Sequence, residues 1–274
     1  MPSRVAQLEL ARHQRELILK PSEAHVFGAG PDAPMMSSIT TGDVATLAEL
    51  PPGWFDYGLI DKEDAIVWAR EMEKSDIGAI GYSNPVRSDI TSDVFSLAFK
   101  GLETNRHNIE TGLQVDLSGV APVQVTGEVS FDQPAVAQVR RGRFLTLARS
   151  GYGADAIYIG RLIAAGEVAE TGEQTITDGE GALAWPATVN AMIDTAAGFS
   201  VRHFFGGPGW RRLLVDLGFP PVDPETYTLT ESPAGSGLYG FTGLTEDPPG
   251  SGLYAIPAGM PESPAGSGLY TIGA

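Results

Sequence analysis

Residues 93–113, "DVFSLAFKGLETNRHNIETGL", place a strand and a helix next to each other. Residues 93–101 read as a strand. From Thr104 the pattern turns helical, with Thr104 as N-cap, Leu102, Ile109 and Leu113 on one side, and an end at Leu113. A strand followed by a helix fits an α/β protein as well as a mostly β one, so the flanking sequence decides. Upstream, "GWFDYGLID" (53–61) and "DAIVWAREM" (64–72) flank a short acidic turn. The second run alternates Ile66, Trp68 and Arg70 with Val67, Ala69 and Glu71, and the two together predict a hairpin. Downstream, "VQVTGEVSFD" (123–132), "RFLTLARS" (143–150), "DAIYIGRLI" (155–163) and "ALAWPATVNAMID" (182–194) are further strand candidates. Within the body one more short helix is expected, from Gly209 to Leu217, stopped by Gly218. Many strands with turn signals between them predict a mainly β protein, an antiparallel sandwich or barrel with one flanking α-helix.

Composition narrows what such a body can do. The 274 residues are 42% hydrophobic, enough for a globular core. With no cysteine there is no disulfide framework and no thiolate nucleophile or metal ligand. No apolar run reaches the roughly 18 residues of a membrane span, and Glu and Gln interrupt the N-terminal leucines, so neither membrane insertion nor a signal-peptide core is expected. The net charge of −16 repels phosphate and argues against tight nucleic-acid binding. An acidic wall would still suit a conduit through which DNA slides without sticking.

Three segments are expected. Residues 1–50 read as a helix over 4–19 and then an extended arm over 20–50, which carries Pro21, Pro31 and Pro34 and suits lying across another subunit. Residues 51–221 form the β body, and 222–274 a Pro/Gly-rich tail without Lys or Arg. The tail repeats itself as "SPAGSGLY" (232–239), "DPPGSGLY" (247–254) and "SPAGSGLY" (263–270), each unit a turn signal followed by a brief strand such as "GLYGF". It reads either as an extended appendage or as three docking units in which Tyr239, Tyr254 and Tyr270 each bury a ring. Within the body, "EKSDIGAIGYSNPVRSDITS" (73–92) is too long for a simple hairpin turn and reads as a contact loop.

Signs of catalysis are few. His13, His25, His107 and His203 are scattered without metal-ligand spacing, and no nucleophile motif occurs. The turn Gly206-Gly207-Pro208-Gly209-Trp210 lacks the Lys-Ser/Thr pair of a phosphate loop and reads as a tight turn that starts the last helix and seats Trp210. Acidic groups such as Asp61, Glu63 and Asp64, or Asp89 and Asp93, are ordinary in so acidic a chain, although a glycosidase pair has the same composition. The basic run "RRGRF" (140–144), with Arg149, reads as one half of a subunit contact. No enzyme activity and no cofactor are expected.

In order, "LPPGWFDYGLIDKED", "GYSNPVRSDITSD", "FKGLETNRHNIETGLQVDLSG", "DAIYIGRLIAAGEV" and "GFSVRHFFGGPGWRRLLVDLGF" resemble the major tail tube protein of long-tailed bacteriophages of actinobacteria, over about Leu50 to Phe219. The resemblance implies a β-sandwich subunit that assembles with itself into hexameric rings stacked as a tube. It also implies a place in the virion tail after synthesis in the host cytoplasm, tape-measure, terminator and distal tail proteins as partners, and double-stranded DNA passing without tight binding. By the same resemblance the 73–92 loop, with Asn84, Pro85, Arg87 and Asp89, would reach a neighbouring subunit or ring. The Gly206–Trp210 turn would hold the end of the body, and the helix would cover the outer side of the sheet. Acidic residues of inner strands would line the bore, with Glu71 and Glu128 as candidates from alternation. A single-ring tail component, such as a terminator or distal tail protein, is the alternative among virion proteins. A carbohydrate-binding or glycoside-cleaving β-sandwich is the alternative from another class.

Overall fold

The computed structural model describes residues 14–136, 138–176 and 181–220, and the backbone of 228–231 and 239–242. The chain divides into two units, Met1–Phe219 and Pro220–Ala274. In the first, an antiparallel sheet runs in the order β4 (Trp54–Asp56), β1 (Glu23–Ala29), β7 (Arg141–Ser150), β8 (Ile157–Thr171), β9 (Trp185–Met192), β6 (Arg87–Gly101), β5 (Val67–Ile77), and β10 (Val201–Gly206) also pairs with β8. The fold is mainly β, as the strand-rich sequence predicts.

The long strand β8 is shared between two layers. Along one of its edges β10 pairs with Tyr158–Ile163 and β9 with Ala165–Thr171, so one layer is β4-β1-β7-β8-β10 and the other is β8-β9-β6-β5. Gly166 lies at the changeover, and a Cβ there would stand 2.6 Å from the Phe144 ring and 2.8 Å from Val189. Only glycine lets Phe144 lie so close to the backbone. The inner faces of the layers meet in a core of Val26, Leu97, Phe144, Ile163, Val168 and Val189. Tyr57 joins them, its ring centroid 6.2 Å from that of Phe144 and 4.9 Å from that of Phe99. In β9, Trp185, Ala187, Val189 and Ala191 are buried in strict alternation, the period-2 pattern of a strand with one face in a core.

The first layer is covered on its other face too. Met36, Leu145 and Leu162 form a second cluster with Trp54 and Phe204, closed by residues of the 31–52 segment, which also holds the small ladder of β2 (Thr40–Thr41) and β3 (Thr46–Leu47). Among the described residues the outer face of the second layer has no such cover.

Several sequence expectations need correction. Residues 20–50 are not an arm: β1 lies inside the sheet, and Val26 is fully buried. The helix expected over 4–19 falls mostly outside the described residues, and Arg15–Leu17 form only a 3-10 turn with Ile18 extended. Residues 53–61 and 64–72 do not pair with each other. β4 pairs with β1, and the chain then crosses to β6, where Asp61 N donates to Lys100 O (2.9 Å) and Leu102 N to Leu59 O (2.8 Å). β5 pairs with β6 instead. Residues 123–132 form no strand, and the strand expected over 155–163 runs from Ile157 to Thr171.

Helix α1 spans Arg106–Leu113, with Asn105 rather than Thr104 as N-cap, its side chain accepting from Asn108 N at 2.9 Å. Helix α2, Pro208–Leu213, is shorter than expected, and turns continue to Gly218, whose φ is +85°. In the second unit, β11 (Thr228–Glu231) pairs with β12 (Tyr239–Thr242), Leu229 opposite Phe241 and Glu231 opposite Tyr239. The brief strand expected in "GLYGF" is present.

Candidate functional site

The most conspicuous feature is a projection. β9 accompanies β6 only from Ser96 to Gly101, while β5 pairs with β6 out to Ile77 opposite Arg87. Arg70–Ile77 and Arg87–Phe95 therefore form a two-stranded hairpin that stands beyond the body. The segment read as a 73–92 loop is mostly this ladder. Its tip, residues 78–86, is closed by hydrogen bonds from Tyr82 N to Ala79 O (3.1 Å) and Val86 N to Ile77 O (2.8 Å), with Gly81 at φ +87°.

Of the contact residues expected from sequence, Asn84 and Pro85 are exposed in the tip, while Arg87 and Asp89 lie two apart on one face of β6 and bind each other at 2.8 Å. Nearer the body, Arg70 makes a two-pronged bond to Asp93, 2.7 Å for each prong, and lies over the Phe95 ring at 5.0 Å. That bond holds the Asp93 carboxyl below its ordinary range and raises the arginine. Ser88 bonds Asp76 across the ladder. Met72, Ile77, Ile80, Tyr82, Val86 and Ile90 are all exposed. Among the described residues nothing covers these six large apolar side chains.

The uncovered face of the second layer is the other candidate surface. Register places Glu71, Glu73, Glu167 and Glu170 on it, among Ser96, Thr188 and Asn190. Its cations are neutralised: Arg141 binds Glu167, and Lys100 binds Asp61 at 3.1 Å and Asp64 at 2.7 Å. The Asp61 carboxyl is lowered chiefly by the Glu63 backbone N–H, with Lys100 next, and Lys100 is raised by the two carboxylates. Glu71 is thus on an acidic sheet face. Glu128 is not; it lies in an irregular excursion between Leu117 and Arg140, where no strand exists for alternation to act on.

The Gly206–Trp210 turn is built by steric need. At Gly207 φ is +106°, and a Cβ there would meet Ala156 O at 2.5 Å. Gly209 N donates to Ala156 O at 2.9 Å, and Trp210 stacks on Phe205 at 5.0 Å with Phe219 tilted against it at 6.1 Å. The turn therefore clamps the last residues of the body. Tyr239 begins β12, and Tyr254 and Tyr270 lie outside the described residues.

A buried polar cluster under α1 was not legible. Asn108, Glu110 and Thr111 are the buried side of that helix, not Ile109 and Leu113. Asn108 Nδ2 donates to Tyr57 O and Glu103 O, both at 2.8 Å, and Thr111 bonds the Tyr57 hydroxyl at 3.0 Å. Burial pushes the Tyr57 phenol up to about 12. Glu110, 2% exposed, accepts from Arg106 (3.0 Å), Arg140 (2.7 Å) and Leu117 N (3.0 Å). The basic run read as a subunit contact has partners inside the chain: Arg140 binds Glu110, Arg141 binds Glu167, Arg143 donates to Pro31 O and Arg149 pairs with Glu23, while among the described residues Arg143 Nη1 and Arg149 Nε are buried without a partner. The Glu110 cluster, in which one buried carboxylate holds Arg106, Arg140 and Leu117 N, serves the fold.

Among the described residues no group of three or more His, Asp or Glu is placed to hold a metal ion, and no helix is long and apolar enough to cross a membrane. No protein-family model matches the chain, and no curated protein matches its sequence.

Proposed function

We propose that the chain is a structural virion protein without catalytic activity, the tube subunit of a long-tailed bacteriophage, assembling with itself into stacked hexameric rings that conduct DNA. The observation that carries the reading is the projecting hairpin. A two-stranded ladder is at best marginally stable alone in water, and this one exposes six large apolar side chains. A second copy of the chain supplies cover at no cost in new genes, and a contact between unlike patches repeats into a ring or filament.

The acidic sheet face supports the same reading. The layer β8-β9-β6-β5 has a free edge at β5, while β7 pairs with β8 as far as Glu167, and it bears a small-residue, acidic surface. Six such layers set around one axis would make a barrel of about 24 strands, wider than barrels of about 16–18 that leave a water channel. Glu71, Glu73, Glu167 and Glu170 would then face the bore and repel DNA phosphates. Tape-measure, terminator and distal tail proteins are the partners that this reading assigns to the tube.

Sedimentation velocity of the full chain tests the reading against variants of the tip. Ile80→Asp and Tyr82→Asp alter exposed side chains, so the fold is expected to keep its melting temperature while large assemblies disappear. Assembly unchanged in the double variant would remove the hairpin from the interface.

A further inference from the structure

The projecting hairpin has two free edges. That of β6 is interrupted: Ile90 faces Lys74 and Ser92 faces Glu73, which leaves Thr91 as an extra residue. A bulge of this kind discourages further pairing. The β5 edge is continuous over Arg70–Ile77, and among the described residues no strand lies beyond it.

A segment with the alternation of a strand but no sheet lies elsewhere in the chain. Glu128-Val129-Ser130-Phe131-Asp132 alternates polar and apolar residues between Gly127 (φ +72°) and Pro134, yet forms no ladder. Its backbone closes only a turn, Val123 N to Glu128 O at 2.8 Å and Gly127 N to Val123 O at 2.7 Å. Val129 is 54% exposed and the neighbouring Val125 93%. The excursion is nevertheless held firmly at both ends. Leu117 N donates to Glu110, and Arg140 donates to Glu110 and to Val115 O, so one buried carboxylate ties the start of the excursion to its finish. Such a base presents the segment outward.

We propose that residues 128–132 of one copy add as a third strand along the β5 edge of the projecting hairpin of a second copy. The inference rests on the self-assembly reading above and names the surface that receives the hairpin. Strand addition supplies main-chain hydrogen bonds for affinity and alternate side chains for register. A third strand also turns a marginal ladder into one that can persist. Because Ile90 lies opposite Lys74, it shares a face with Met72; Val129 and Phe131 extend that apolar strip when laid beside β5.

The chain has no cysteine, so engineered disulfides report only the positions chosen. A Val129→Cys protein is mixed, under assembly conditions and with a mild oxidant, with single-cysteine proteins at each position from Arg70 to Ile77. Disulfide-linked pairs of twice the chain mass are expected at the one β5 position that lies opposite Val129, with weaker linkage two residues to either side and none at the positions between. Val129→Pro, which removes a strand N–H, is expected to raise the concentration needed for assembly about tenfold, with the monomer's melting temperature unchanged. If the wild type assembles while no β5 position cross-links and Val129→Pro assembles normally, strand donation is overturned and self-assembly stands. If the wild type stays monomeric at all concentrations, both fall.

Discussion

At the scale of single residues, the Glu110 cluster shows how a polar side chain can organise a β-rich core. Glu110 gathers two arginines and a backbone N–H in a place where water cannot replace them. Glu110→Ala orphans Leu117 N and loosens Arg140, so unfolding in urea is expected at a stability lower by about 2–3 kcal/mol. His107 offers a pH test. Its ring stacks on Phe55 at 3.6 Å, and burial depresses its pKa below the ordinary histidine value, with Glu110 opposing the shift. As pH falls through about 6.5 the unfolded chain takes the proton first, so this contribution is complete above that pH and is lost toward the depressed native value. His107→Gln is expected to flatten the pH dependence of the urea midpoint between about pH 5 and 7; an unchanged profile would place the titration elsewhere. None of this could be read from the helix sequence, because the partners that make Asn108, Glu110 and Thr111 the buried side come from Tyr57 and Arg140, remote in the chain. Hydrophobic pattern alone favours Leu102, Ile109 and Leu113, and here the satisfied polar contacts prevail.

Among the secondary-structure elements, strands with uninterrupted patterns were the legible ones. Residues 93–101, 143–150 and 182–194 announced β6, β7 and β9 because apolar runs end at recognisable turns. β1 was missed, since "EAHVFGA" is short, starts exposed and sits among prolines and glycines that mimic an arm. The hairpin assignment failed for a different reason. Adjacent strands usually pair, but Tyr57 to Asp61 carries the chain across the end of the sandwich from β1 to β6, so the nearest strand in sequence is not the nearest in space. The β8 changeover makes its own prediction. Gly166→Val would drive a branched side chain into Phe144 and Val189, and soluble yield or melting temperature is expected to collapse, whereas Gly81→Ala in the open tip disturbs the fold far less. Equal effects would mean that the two layers do not meet at Gly166.

For the whole molecule, charge and assembly are linked. The −16 charge keeps copies apart unless specific contacts overcome it, so the onset of assembly is expected at lower protein concentration as salt rises toward about 0.5 M, followed by light scattering. In the proposed tube the acidic face would line the bore. Glu71→Lys with Glu170→Lys should leave assembly intact yet make the product retain fluorescent duplex DNA at low salt and release it as salt increases. Retention by the wild type as strong as by the variant would put the acidic face elsewhere than the bore. The Pro/Gly-rich second unit carries a repeated motif whose first copy lies in sequence between β11 and the start of β12, and removing the unit after Pro221 separates its part in assembly from that of the body. The order of motifs, more than any one of them, suggested a tube; the fold class agrees with that suggestion, and the tube itself remains the claim to test. Negative-stain electron microscopy of the purified full-length protein, beside the form ending at Pro221, does so most directly. Hollow tubes or stacked rings are the predicted result, and dispersed single particles at every concentration and salt would contradict the account.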